Sequence, residues 1–368
     1  MFELYGKYNN TKIFADDIDN QSISQIIKFL NNPITEGQRV RMMPDVHSGI
    51  GCTIGTTMTI EDKVIPNLVG TDIGCGMEVV YLEQNEINLE SLNHVIRKYI
   101  PSGYSVRNTP HKFMDNINLT ELKCYFNLYD ADHSFMYLGT LGGGNHFIEV
   151  NKSNDEELIL VIHSGSRRIG KEVSEYYQKE SLRYFKRYHK MASSKDLIYC
   201  EGKLFDDYLH DLGIMQEFAL WNRKAMVETI LNKCEIESSK SFSCIHNYID
   251  LKNMILRKGA ISAQKNEKVI IPINMRDGSL LCTGKGNRDW NYSAPHGAGR
   301  LMSRTDAKNT FSLEEFKESM KGIYTNSVNT KNISESPMAY KPIESILKNI
   351  GDSVTVDEII RPIYNFKG

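Results

Sequence analysis

The chain scatters one kind of chemistry over most of its length, and its fold has to gather it. Five side chains able to hold a metal ion sit in short words, most of them glycine-rich. Asp72 and Cys75 lie in Gly70-Thr-Asp-Ile-Gly-Cys-Gly76, and His146 in Gly142-Gly-Gly-Asn-His-Phe147. His163 opens His163-Ser-Gly-Ser-Arg167, and His246 lies in Cys244-Ile-His-Asn247. A further histidine, His296, sits in Ser293-Ala-Pro-His-Gly-Ala-Gly-Arg300. A length of 368 residues alone suggests roughly two domains. A site assembled from segments this far apart instead favours one catalytic unit spanning residues 1–368.

Charge is nearly balanced, with 44 Lys plus Arg against 46 Asp plus Glu. Contact with a nucleic acid therefore needs a local basic groove, because global attraction is absent. The seven cysteines are odd in number and scattered, which argues against a disulfide framework and for a reducing compartment. The segment Met1-Phe-Glu-Leu-Tyr-Gly-Lys7 lacks the pattern of a secretory signal. No stretch approaches the ~18 apolar residues of a membrane span. The expectation is a cytoplasmic protein without membrane contact.

Periodicity predicts a helix over Ser22–Leu30 and another over Leu89–Ile100, stopped at Pro101. Residues 41–80 read as short strands joined by tight turns. Glu157–Ile162 reads as a buried strand delivering His163 at its end. Long helical patterns cover Lys171–Lys190 and Asp206–Cys234, and further strands Ser241–Ile245 and Val269–Ile273. The final seventy residues, rich in Asn, Lys and Ser, read as exposed loops.

Three imidazoles, a thiol and a carboxylate suit a borderline divalent ion such as Mn, Zn, Co or Ni. Asp72 and Cys75 alone would be a structural turn with an inert cysteine, and His163 alone a core histidine. Together with His146 and His246 they read as a metal centre. His296 is left over. A histidine among glycines that can cradle phosphate is a candidate covalent nucleophile.

These words resemble the RtcB-type RNA ligases, beginning at Met43-Pro-Asp-Val-His-Ser-Gly-Ile-Gly51, running through the motifs above to Arg300 and resuming at Lys367-Gly368. The resemblance implies an α+β fold in which mixed, bent sheets surround a metal cleft, with helices outside. It implies two Mn²⁺ ions bridged by Cys75, one completed by Asp72 and His146, the other by His163 and His246. It implies GTP as cosubstrate and His296 as the guanylylated residue. Asn145, His146, Phe147 and Glu149 would meet the nucleotide, with Glu149 accepting from the guanine edge. His246, Asn247, Pro272, Asn274, Met275 and Ser279 would join them. Gly297, Ala298 and Gly299 leave room for phosphate, and Lys367 would supply a cation at the base.

The chain departs from the family in Pro272-Ile-Asn-Met-Arg276, where Ile273 and Arg276 replace two glycines. That predicts a reshaped loop with a cation near the site. Ile261 and Ser262 stand where an arginine is usual.

The implied partner is RNA bearing a 3′-phosphate or 2′,3′-cyclic phosphate and a 5′-hydroxyl, with Arg167 and Arg300 on its terminal phosphate. Arg183, Lys186, Arg187 and Lys190, interleaved with Tyr184, Phe185 and Tyr188, offer a second surface that would hold RNA or be a solvated helix face. Two competing readings are a guanylyltransferase that caps RNA 3′ ends without joining them, and a metal-stabilised RNA-binding protein.

Overall fold

The computed structural model of the protein describes residues 1–188 and 194–368. Two large sheets carry the α+β architecture. In the six-stranded sheet, Asn10–Ile13 joins Val40–His47 in parallel and the other pairs are antiparallel. The eight-stranded sheet runs Ser238–Ile245, Gly76–Leu82, Leu158–Ser164, Phe147–Lys152, Val354–Lys367, Gly278–Gly284, Lys268–Asn274, antiparallel throughout. Its remaining short strand, Tyr324–Thr325, pairs in parallel with Val354–Lys367. The sheet curls until its two edges approach, with the Cys244 thiol directed at the Ile270 carbonyl 3.9 Å away.

Strand alternation decides which residues face the inside of the curl. Met77, Val79, Phe147, Ile159, Val161 and Cys244 belong to the inner core. Val80, Leu82, Ile148, Val150, Leu160 and Ile162 belong to an outer layer under the Leu89–Tyr99 helix and the end of the Lys203–Cys234 helix. Odd positions on the strands Gly76–Leu82, Phe147–Lys152 and Leu158–Ser164 thus point inward, which aims Glu149 and His163 at the same interior. Cys75 and His246 continue the inward rows of Met77 and Cys244.

The same count would turn Lys367 outward if the Val354–Lys367 strand were regular, because Ile360 faces the inner core. A register shift between Pro362 and Tyr364 resets it. Beyond that bulge Tyr364 and Phe366 enter the outer layer, and Asn365 and Lys367 face in.

The expected helices are present as Asn20–Leu30, Leu89–Tyr99, Arg167–Tyr188 and Lys203–Cys234. Lys190 lies outside the described residues. The loop-like reading of the final seventy residues is corrected: they form three helices and the fourteen-residue strand Val354–Lys367, held between two neighbours. Their polar side chains supply helix caps such as Ser303 and Ser312, so composition there marked helix starts. No helix among the described residues is long and apolar enough to cross a membrane.

Candidate metal and nucleotide site

The five candidate ligands meet at one rim of the curl. Cys75 Sγ lies 3.2 Å from His163 Nε2 and 3.5 Å from His146 Nε2. His146 Nε2 is 2.9 Å from Asp72 Oδ2, and His163 Nε2 is 3.4 Å from His246 Nε2. Donors about 2.0–2.3 Å from one ion stand roughly 3–4 Å from each other, so this spacing fits metal coordination. Cys75 is central, with Asp72 and His146 to one side and His163 and His246 to the other.

The outer nitrogens support the same fit. His146 Nδ1 donates to the Leu141 carbonyl at 2.8 Å and His163 Nδ1 to the Asn145 carbonyl at 3.1 Å, so backbone carbonyls orient both rings with Nε2 toward the cluster. Burial holds His163 and His246 well below the ordinary imidazole value. Burial, and then the Asp72 carboxylate, push the Cys75 thiol well up. Burial also works to raise Asp72, but His146, Cys75 and Arg167 outweigh it and bring the carboxyl to about 2. A thiolate therefore needs added positive charge here. His246 Nδ1 is a buried nitrogen with no hydrogen-bond partner among the described residues.

His296 stands next in line, its ring 4.9 Å from that of His246. Asp45 is fully buried and takes both the His296 backbone N–H, at 3.1 Å, and Nδ1, at 2.6 Å. The approach of these two segments requires glycine: Gly299 has φ +75°, and a Cβ there would lie 2.6 Å from the Asp45 carbonyl oxygen. His47, held below its usual value chiefly by burial, borders the same space.

That space is a cavity of about 590 Å³. Asn145, Phe147, Glu149, His163 and His246 line one wall, and Pro272, Asn274 and Met275 another. His296, Gly297, Ala298, Gly299 and Arg300 form its floor with Lys367 beside them. Asp72, Cys75 and His146 lie behind it. Asn247 and Ser279 are outside the lining: the Asn247 side chain accepts from the Gly259 N–H, and Ser279 is fully buried. Burial raises Glu149 to about 7 against the opposing pull of Asn365 and Lys367. Its carboxylate accepts from Asn365 Nδ2 at 2.6 Å.

Sequence reasoning missed a buried hub on this wall. Glu335 accepts from Tyr340 Oη at 2.6 Å and faces Arg304 at 3.1 Å, Arg300 at 3.4 Å and Lys367 at 3.6 Å. Asp45 was legible only as part of a motif, and Glu335 carried no signal.

Arg167 is placed apart from the cavity, at the metal rim. It has φ +59°, donates to Thr140 Oγ1 and the Gly103 carbonyl, and occupies the space that any Cβ at Gly142 would fill. At the glycine replacements the backbone is irregular: Ile273 lies at a register shift between Pro272 and Asn274 and lines the cavity, and the left-handed turn position falls at Gly278, with φ +83°. Arg276 forks onto its neighbour Asp277 at 2.7 and 2.9 Å, outside the cavity lining. On the candidate basic helix face Phe185 is buried, Arg183 pairs with Glu180, and Arg187 lies over the exposed Tyr188.

A profile of the family described as tRNA-splicing ligase RtcB matches residues 25–128 and 128–368. The chain is 32% identical over 371 residues to the RNA-splicing ligase RtcB of Escherichia coli strain K12, covering 90% of each chain. It is 26% identical over 456 residues to the tRNA-splicing ligase RtcB of Aeropyrum pernix, covering 97% of this chain and 94% of the other. A profile match reaching from residue 25 to residue 368, with that identity sustained along both chains, establishes that the protein belongs to the RtcB family.

Proposed function

We propose that the protein is a GTP-dependent RNA ligase. It joins an RNA 3′-phosphate, or a 2′,3′-cyclic phosphate after hydrolysis, to a 5′-hydroxyl through GMP carried on His296. The whole of residues 1–368 acts as one catalytic unit, since strands from distant segments supply the ligands. The free, mostly buried cysteines suit the reducing cytoplasm.

The observation that carries this reading is the pairing of His296 with buried Asp45 on a cavity bearing a carboxylate and a lysine. With the Nδ1 proton directed at Asp45, Nε2 keeps its lone pair. Nε2 attacks the α-phosphorus of GTP, forming an N–P bond as the α–β bridging bond breaks and pyrophosphate leaves. An oxygen of the RNA 3′-phosphate then attacks that phosphorus and returns the bonding pair to Nε2. Finally the 5′-hydroxyl attacks the activated 3′-phosphorus, loses its proton, and GMP leaves.

Two Mn²⁺ ions, held by Asp72, Cys75, His146, His163 and His246, would neutralise phosphate charge and orient the leaving group. Glu149 accepts from guanine N1–H and the exocyclic amine while Lys367 faces O6, which rejects adenine. Arg300 faces the phosphates, and Arg167, beside Asp72 and Cys75, an RNA terminal phosphate.

Incubation with α-phosphate-labelled GTP and Mn²⁺ should give an acid-labile, base-stable protein adduct that is absent from His296→Ala. Added RNA ends should convert it to joined product. An undiminished adduct in the variant would overturn the assignment, and a stable 3′-capped strand without joining would favour the capping enzyme.

A further inference from the structure

Two neighbouring polar residues lie fully buried on the Lys203–Cys234 helix behind the candidate metal ligands, and neither touches the cavity. Asn222 Oδ1 accepts from the backbone N–H groups of Gly139, at 2.7 Å, and Thr140, at 3.0 Å. Its Nδ2 donates to the carbonyls of Thr140 and Gly165, at 3.1 and 3.0 Å, and to Ser164 Oγ at 3.1 Å. Arg223 Nη1 donates to the carbonyls of Gly74, at 2.8 Å, and Ser164, at 3.0 Å, while Nη2 reaches Ser243 Oγ at 3.2 Å.

Every one of these partners is tied to a ligand. Gly74 precedes Cys75, and Ser164 follows His163. Thr140 precedes Leu141, whose carbonyl takes the His146 Nδ1 proton. Ser243 lies on the strand leading to His246, and the His246 N–H donates to the Cys75 carbonyl at 2.9 Å. Four segments with no helix or turn in common therefore meet on two adjacent side chains.

Burying a guanidinium is costly, the more so as Arg223 Nε has no hydrogen-bond partner among the described residues, and a nonpolar core would stabilise a helix against a sheet more simply. Burial works against the Arg223 charge, and Glu78 is foremost among the groups that offset it. Such a residue makes physical sense where spacing between segments matters more than packing.

We propose that Asn222 and Arg223 are positioning residues that set the distances among Asp72, Cys75, His146, His163 and His246. This inference rests on the proposed metal centre. A lysine at position 223 keeps the charge but cannot fork onto both carbonyls and Ser243.

Cobalt is the probe. Co²⁺ titrated into metal-free protein reports thiolate ligation through charge-transfer bands and ligand geometry through its visible absorption. Arg223→Lys and Asn222→Asp should weaken Co²⁺ binding about 10- to 100-fold and alter the visible bands while circular dichroism keeps the fold. Arg257→Lys is the control: Arg257 is equally buried but bonds Ser293, Tyr248 and the Asn291 carbonyl. It should lower thermal stability and leave the cobalt spectrum unchanged. If Arg223→Lys does not fold, Ser243→Ala removes one Arg223 acceptor and should show the same shift at smaller size. Wild-type affinity and spectrum in either folded position-223 or position-243 variant overturn the proposal. No cobalt uptake by the unaltered protein overturns the metal centre itself, and this inference with it.

Discussion

Asp45 Oδ2 lies 2.6 Å from His296 Nδ1, joining two segments 251 positions apart in the chain. The carboxylate is fully buried and also holds the His296 backbone N–H, so ring and main chain are fixed by one group.

Asp45→Asn should therefore slow adduct formation from GTP by about 10²- to 10⁴-fold, because the amide no longer enforces the tautomer that bares Nε2. Metal content should be unchanged. Single-turnover labelling checks the first statement and elemental analysis the second. A wild-type rate would mean that Asp45 only shapes the loop.

Cys75 stands between the two halves of the ligand set. Cys75→Ala should lose most bound metal from both halves and form no adduct, since in the proposed centre sulfur is the shared soft donor. Full metal occupancy in that variant, read by elemental analysis, would make the cysteine structural.

Glu149 gives the nucleotide pocket a pH step. Its carboxyl is raised to about 7, so the folded protein holds that proton across a range where an unfolded chain has lost it. Folding is then favoured by protonation, and this contribution is lost as pH climbs from about 4.5 through 7. The proposed guanine contact runs the other way, because only the carboxylate would accept both edge hydrogens. Calorimetric affinity for GMP should rise with pH through about 7 and level above it. Glu149→Gln should bind about 10- to 100-fold more weakly and lack the step. An identical pH profile in the variant would place the titration elsewhere.

Glu335 is lowered to about 2: burial raises it, and Lys367, Arg304, Tyr340 and Arg300 together overcome that. Its stabilising effect is present above the unfolded value near 4.5 and fades as pH falls toward 2. Glu335→Gln should cost roughly 3 kcal/mol at neutral pH and flatten the acid limb of the stability curve. It should also raise KM for GTP by freeing Lys367, with little change in metal content. Unaltered acid stability, measured by denaturant titration, would refute the hub.

Much of the site was legible because its residues sit in short words whose glycines and histidines have few other uses together. The apolar run Glu157–Ile162 showed the buried strand that delivers His163, whereas Glu149 was marked only by the family resemblance. Other parts were not legible for physical reasons. Asn222 and Arg223 occur in an unremarkable helical run, and only tertiary packing shows that their polarity is spent on distant backbone groups. Glu335 and Tyr340 sit in a segment whose polar composition matched solvent-exposed loops. Arg276 adds a cation beside cavity-lining Met275, and its partner there, Asp277, is its own chain neighbour.

The register shift between Pro362 and Tyr364 gives the base-recognition wall an arithmetical character. Lys367 and Asn365 face the inside of the curl through an odd residue in the ladder, not through any contact of their own. Losing or gaining one residue at that bulge would exchange them for Phe366 and Tyr364, presenting aromatic rings to the inside of the curl and amide and ammonium groups to the helices. The chemistry of such a wall can thus be rewritten by a change in chain length at one position, with each residue of the wall retained.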